Sequence, residues 1–310
     1  MTPADHEFEV TSAGSDLPGG EGVLVSTRVA KPSADLPTQG PWALRRRRRV
    51  VMSVIRLAIV VLVVGAWEWS VNSGFADPFF TGQPSQIWAT LKSWITVGTP
   101  QGSLADQISV TLQEAVYGFL IGVLAGVVLG IALGSSRFLA DLASPFIKVG
   151  NSIPRIILGS IFTVAFGFGI ESKVILAAVL VFFGVFFNAF QGTREVDRNL
   201  ISNARILGAS QMQVTRQVVL PSAFTWILAS LHVSFGFALI GAIVGEILGA
   251  DKGLGLLIKS SQNNFDMNGV FAGMVVIAII ALLAEFLITL LEKRILRWRP
   301  PSSSADMTVL

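Results

Sequence analysis

No cysteine occurs in the 310 residues, so a disulfide staple, a thiolate metal site and a cysteine nucleophile are all excluded. Histidine is almost missing too. His6 and His232 are the two in the chain, too few for a histidine-rich metal cluster. Charge is sparse, at 14% of residues, where an ordinary globular domain carries about 25%. Three catalytic signatures are also absent: Gly-x-Ser-x-Gly, His-Glu-x-x-His and a Walker-type Gly-Lys-Ser/Thr. The chain is therefore not expected to hydrolyse nucleotides or to be an enzyme.

What fills the sequence instead is apolar. Hydrophobic residues make up 52% of it and are gathered in blocks: 50–69, then within 112–133, 156–190, 223–248 and 270–291. The hydrocarbon core of a bilayer is about 30 Å thick and a helix rises about 1.5 Å per residue, so about 20 such residues cross it. The fold class expected is all-α, a polytopic membrane protein of about six spans.

Residues 1–44 are rich in Pro, Gly, Ser and acidic side chains with no sustained apolar period, and are expected to form a disordered tail. Five arginines at 45–49 abut the first apolar block. That block exceeds the roughly 7–15 residues of a signal-peptide core and ends in Trp67-Glu68-Trp69, so it reads as a retained span. Arginines beside a span are a topology signal, and no nucleic-acid partner is expected. The membrane domain is placed at 45–300, with a short tail at 301–310.

A short amphipathic helix is expected from Pro84 to near Gly98. The second span, 109–133, carries Gly118, Gly122, Gly126 and Gly130, followed by Gly134. Small residues at this spacing form one smooth face on which another helix can pack closely. The third span, 138–168, is expected to be interrupted at both Pro145 and Pro154, each of which removes a backbone donor. The fourth and fifth spans, 172–191 and 222–248, flank a charged segment. A Gly-rich stretch, 249–269, precedes the sixth span, 270–291. With six spans and the N-terminus inside, the inner segments hold the arginine run, Arg137, Arg194, Arg198, Arg205, Arg216, Lys293, Arg294, Arg297 and Arg299. The outer ones hold Lys92, Lys173, Lys252 and Lys259, as the positive-inside rule requires.

The inner segment between the fourth and fifth spans reads Ser202-Asn203-Ala204-Arg205-Ile206-Leu207-Gly208, then Ala209 and eight more residues, then Val218-Val219-Leu220-Pro221. A short helix holding Ala204 would offer small residues to a partner groove. Gly208 would permit a turn at positive φ, and a second helix would run to Pro221.

This segment resembles the EAA loop of ABC importer permeases: Glu-Ala-Ala, three residues, Gly, nine residues, Ile-x-Leu-Pro. Ala204, Gly208, Leu220 and Pro221 match, while Ser202 and Asn203 stand for Glu and Ala. Further stretches resemble the nitrate/sulfonate/taurine-type permeases: Pro154-Arg155-Ile156, Phe166-Gly167-Phe168-Gly169-Ile170-Glu171-Ser172-Lys173, Gly245-Glu246-Ile247-Leu248-Gly249 with Gly253-Leu254-Gly255, and the close from Leu291 to Trp298. The likeness covers 112–298. It implies the type I importer permease fold with a cytoplasmic coupling helix, and docking on an ATPase through Ser202, Asn203, Ala204, Arg205, Gly208, Ala209, Leu220 and Pro221. It also implies a homodimer, two ATPase copies that use the ATP, and a periplasmic or lipid-anchored solute-binding protein. No cofactor of the chain's own is implied. The setting would be the bacterial inner membrane with both termini cytoplasmic, in contact with membrane lipids. The cargo would be a small, anionic organic or inorganic solute or an aromatic acid. An ion-coupled secondary transporter or channel is the alternative.

Charged groups at membrane depth are costly and so are functional candidates. Glu114, Arg155, Glu246 and Glu285 qualify. Asn151, Pro154, Arg155 and Glu246 are the candidate pathway residues. Arg155 is expected either to face the pathway or to pair with a carboxylate such as Glu114. Glu246 is expected to be structural or gating. His232 is expected to be packed and hydrogen-bonded rather than a proton relay.

Overall fold

The computed structural model describes residues 41–295. The tails expected before 41 and after 300, with Arg297, Trp298 and Arg299, lie outside the described residues, while 41–44 fall within the first helix. The chain divides into two units, Met1–Val61 and Leu62–Leu310. The described part of the first is helical, and its apolar side chains from Val50 onward are exposed. Among the described residues no sheet forms, and one isolated bridge pairs Thr99 with Gly102.

Helix α1 (Pro41–Asn72) contains a candidate span at Val50–Asn72. Two short helices follow, α2 (Pro78–Thr81) and α3 (Pro84–Thr96), before α4 (Leu104–Gly134). Prolines open both short helices, at positions where the missing N–H costs nothing.

The glycine stripe of α4 sets the central packing. Gly118, Gly122, Gly126 and Gly130 are buried against α7 (Ile170–Arg194). A Cβ at Gly122 would stand 2.6 Å from the Ala178 carbonyl oxygen, and one at Gly130 would stand 2.8 Å from that of Phe186. Gly118 meets Ala177, Gly122 meets Val181, Gly126 meets Val185 and Gly130 meets Ala189. Both numbers rise together, so α4 and α7 run parallel.

Parallel neighbours need a connection that returns along their full length. That return is α5 (Arg137–Ser152), a 3-10 turn at Arg155–Ile157 and α6 (Leu158–Phe166), bent by 75° at the break. The bent pair is thus a crossing rather than a re-entrant hairpin, and the candidate spans number six. The expectation of two interruptions needs correcting: Pro145 stays inside α5, and the break is at Pro154 alone. There Pro154 forces Ile153 into an extended conformation (φ −74, ψ 127) and so ends α5.

After α7 come α8 (Arg198–Ile206), α9 (Gln211–Val214), a π-helical turn at Thr215–Val219 and α10 (Leu220–Leu248). The last three form one unbroken helix, Gln211–Leu248. The fifth span therefore starts well before Pro221. The wide turn lies directly ahead of a proline that lacks an N–H and whose ring crowds the preceding carbonyls. Helix α10 runs antiparallel to both α7 and α4. Gly241 packs on Ala177 and Gly192 on Trp226, while Phe119 meets Phe235 edge to face. The Gly-rich stretch holds an unexpected helix, α11 (Leu254–Asn263), and α12 (Met267–Ile295) completes the bundle.

The core sits where α4, α7 and α10 meet, around Ala115, Val181, Val185, Ala238, Leu239 and Ala242. A second cluster joins Ile87, Leu91 and Trp94 of α3 to Leu254, Leu257, Ala272 and Val276.

Candidate coupling and pathway sites

The segment between α7 and α10 is built from local caps. Asp197 caps α8 through the Asn199 N–H at 2.8 Å. Gly208 adopts φ +86, a conformation only glycine takes without strain. The Ala209 N–H closes the helix end on the Ala204 carbonyl at 3.0 Å. Ser210 and Gln213 then form a capping box, with N–H to side-chain distances of 2.7 and 3.3 Å. Beneath the turn, Val196, Val214 and Val219 are buried, with Ala204, Ala209 and Val218 packed on them.

Ala204 is half-buried, and its small side chain lets α8 lie close on Val214 and Val219. The outward surface comes from residues that the motif does not specify. Ile206 is 82% exposed and Leu207 is 87% exposed, with Met212 beside them across the turn. Ser202, Asn203 and Arg205 flank them and are exposed, and Arg205 donates to Gln211 Oε1 at 3.0 Å. Gly208 is exposed at the tip, while Leu220 and Pro221 lie on the exposed side of the continuous helix.

The four expected pathway residues fall in two separate places. Arg155, on the turn after Pro154, donates through Nη2 to Asn151 Oδ1 and lies 4.5 Å from the centroid of the Phe183 ring. Among the described residues it forms no ion pair with a carboxylate, so the expected pairing with Glu114 does not occur. Glu114 instead lies buried beside Glu246, between α4 and α10.

Glu246 is fully buried and holds the start of α11. Its Oε2 accepts the Gly255 N–H at 2.6 Å, and its Oε1 accepts the Thr111 hydroxyl at 2.6 Å. The Thr111 oxygen accepts the Leu254 N–H at 2.9 Å, and Gln107 Oε1 accepts that of Gly253 at 2.7 Å. Donors that a helix N-terminus leaves free are thus taken by side chains of two neighbouring helices. Glycine is required here. Gly253 sits at φ +122, and a Cβ on it would stand 2.0 Å from Glu246 Oε1. A cavity of about 380 Å³ adjoins Glu246 at this end, lined also by Gln101, Gly249, Leu256, Lys259 and Ser260.

Sequence reasoning missed Lys173. Counted among outer loop lysines, it is buried one turn into α7, where Nζ donates to the carbonyls of Phe168 at 2.5 Å and Gly169 at 2.9 Å. Gln107 and Thr111 were missed as well. His232 bridges α10 to α12, with Nδ1 at 2.7 Å from Glu285 and Nε2 at 2.9 Å from Glu292. Asn188 turns back on its own helix, bonding the Gly184 carbonyl at 2.9 Å.

Residues 118–297 match the family model described as the inner membrane component of binding-protein-dependent transport systems. The chain is 29% identical over 272 residues to the putative aliphatic sulfonates transport permease protein of Bacillus subtilis strain 168, covering 87% of this chain and 97% of that one. It is 30% identical over 261 residues to the taurine transport system permease protein of Escherichia coli K12, covering 83% and 93%. In fold it is similar to a crystal structure of an amino acid ABC transporter with histidines, with TM-score 0.50 and 21% identity over 67% of this chain and 96% of that one.

Proposed function

Because the chain belongs to the family of inner-membrane components of binding-protein-dependent transport systems, we propose that it carries a small organic anion of the sulfonate class inward, coupled through the turn at Gly208. It is the permease subunit of an ABC importer, a multi-pass inner-membrane protein, and ATP hydrolysis belongs to a separate subunit. The family implies an ATPase partner and a solute-binding protein partner.

The observation that carries the coupling proposal is the exposure of Ile206 and Leu207 at the rigidly capped end of α8. Two large apolar side chains held out at a fixed turn suit an apolar groove on the ATPase, with Ser202, Asn203 and Arg205 at the rim. Because Gln211–Leu248 is one helix, a push on this turn passes straight into the membrane bundle. Leu220 and Pro221 sit in that shaft, and Gly208 and Ala209 set its angle to α8. The working unit is two copies of this chain on two ATPase copies, with both termini of each permease cytoplasmic.

Arg155 supports the anionic cargo. Its guanidinium is held by Asn151 and stacked on Phe183, with no carboxylate partner among the described residues, a state in which it attracts a sulfonate or carboxylate as the broken helix at Pro154 passes it along. Glu246 serves the same path indirectly, by fixing α11 over the end of the bundle. The relatives named for taurine and aliphatic sulfonates supply the cargo class to test. The permease, its ATPase and its binding protein reconstituted in liposomes are expected to take up an alkanesulfonate in an ATP-dependent manner. ATP-dependent uptake of neutral solutes alone would refute the anionic cargo.

A further inference from the structure

Helix α3 is 13 residues long, about 20 Å at 1.5 Å per residue, too short to cross a bilayer. It lies between two span ends, Asn72 and Leu104, on the same side of the bundle. Its start is fastened by Glu68, whose carboxylate accepts the Ser85 N–H at 3.0 Å, the Ser85 hydroxyl at 2.9 Å and the Gln83 amide at 2.7 Å. Asn268 Oδ1 accepts the Gln83 N–H at 2.9 Å. The helix is therefore held at the level of the first turns of α12.

Around its circumference α3 has three sectors rather than two. Ile87, Leu91 and Trp94 are buried against α11 and α12. Gln86 and Ser93 form an exposed polar sector. Between these, Trp88 is 71% exposed and Ile95 is 72% exposed, two turns apart on one line, with Lys92 at its polar edge. A helix in water would put its polar residues where Trp88 and Ile95 stand. On α12, Val275 and Ile279 are exposed next to Ala272 and Val276, which contact α3. Phe75, Phe79 and Phe80, in and just before α2, are exposed as well.

We propose that α3 is an interfacial anchor, with Trp88 and Ile95 seated in the headgroup–acyl boundary of one leaflet and Lys92 reaching up to the lipid phosphates. On the orientation proposed above, that leaflet is the outer one. Tryptophan at the boundary and a lysine extending from an apolar bed into the headgroups are the chemistry of this layer. The anchor fixes α3, and through Leu91 and Trp94 it gives α11 a footing referenced to the bilayer surface.

The absence of cysteine in the chain makes the test direct. Single cysteines replace Trp88, Ile95, Gln86 or Ser93 in the full chain, are spin-labelled, and are read in phosphatidylethanolamine/phosphatidylglycerol liposomes by collision with oxygen and with a water-soluble nickel chelate. The expected result is oxygen access above nickel access at 88 and 95, reversed at 86 and 93. Nickel access at 88 and 95 equal to that at 86 and 93 overturns the proposal in favour of a water-facing helix. Protection from both reagents overturns it in favour of a protein partner or a second copy. Ile95→Cys carries the lipid-side reading if Trp88→Cys fails to fold.

Discussion

Thr111 donates its hydroxyl to Glu246 at 2.6 Å, across the α4–α10 seam, while the same oxygen accepts the Leu254 N–H at 2.9 Å. One hydroxyl thus ties two spans to the start of α11, and with Glu246 and Gln107 it forms a buried latch.

Truncating that latch leaves buried donors without acceptors, at about 1–3 kcal/mol for each unsatisfied group. Glu246→Ala is expected to lower the thermal stability of the detergent-purified protein markedly, since the Gly255 N–H loses its acceptor and the Thr111 hydroxyl keeps only the Gln107 carbonyl at 3.2 Å. Glu246→Gln keeps one acceptor oxygen and should lose less. Equal melting temperatures for the two variants would show that the latch carries no weight.

Two helical glycines should respond with opposite signs. At Gly122 a Cβ meets the Ala178 carbonyl oxygen at 2.6 Å, so Gly122→Ala has to push α4 off α7. Overpacking of this kind costs about 1–3 kcal/mol. At Gly236 nothing lies within 4 Å, and Gly236→Ala gains about 1 kcal/mol of helix propensity. Melting curves of the two variants check the parallel α4–α7 contact.

Much of this architecture was legible beforehand because its signals are local. The glycines at 118, 122, 126 and 130 lie one helical turn apart, so a close-packed face follows from spacing alone, and Pro154 marks the broken crossing in the same way. What spacing could not show was the partner of each face. Lys173 looks like a loop lysine until the Gly167–Gly169 turn brings two carbonyls onto its ammonium group. Gln107 and Thr111 look like ordinary polar residues near a span end until Gly253 and Leu254, more than 140 positions away, need acceptors. Between α8 and α9 the spacing marks Gly208 as the positive-φ position, but it does not show which side chains stand out beside it. The exposed Ile206 and Leu207 lie at motif positions where any residue is allowed.

Arg155 separates a pathway role from a structural one. Arg155→Leu is expected to leave assembly with the ATPase intact and to abolish ATP-dependent uptake of a sulfonate in proteoliposomes. Arg155→Lys, which keeps the charge but loses the planar stack on Phe183, should retain part of the uptake. Lost assembly in the leucine variant would assign Arg155 to structure instead.

His232 is expected to behave as a bridge. Its carboxylate partners are partly exposed, with side-chain exposures of 51% for Glu285 and 33% for Glu292. Glutamine keeps a hydrogen-bonding amide in the place of the imidazole. His232→Gln should therefore change the melting temperature little and leave uptake near the parent rate. Loss of uptake in a stable His232→Gln protein would instead mark a proton-transfer role.

On the coupling proposed above, the ATPase takes hold at the turn at Gly208, through Ile206 and Leu207. The most direct measurement is copurification of the full chain with its ATPase subunit, comparing the parent with an Ile206→Glu, Leu207→Glu double variant. Both side chains point away from the bundle, so the variant should fold and melt like the parent while its recovery of ATPase falls at least tenfold. Undiminished recovery of the ATPase by a folded double variant would place the ATPase contact elsewhere on the chain.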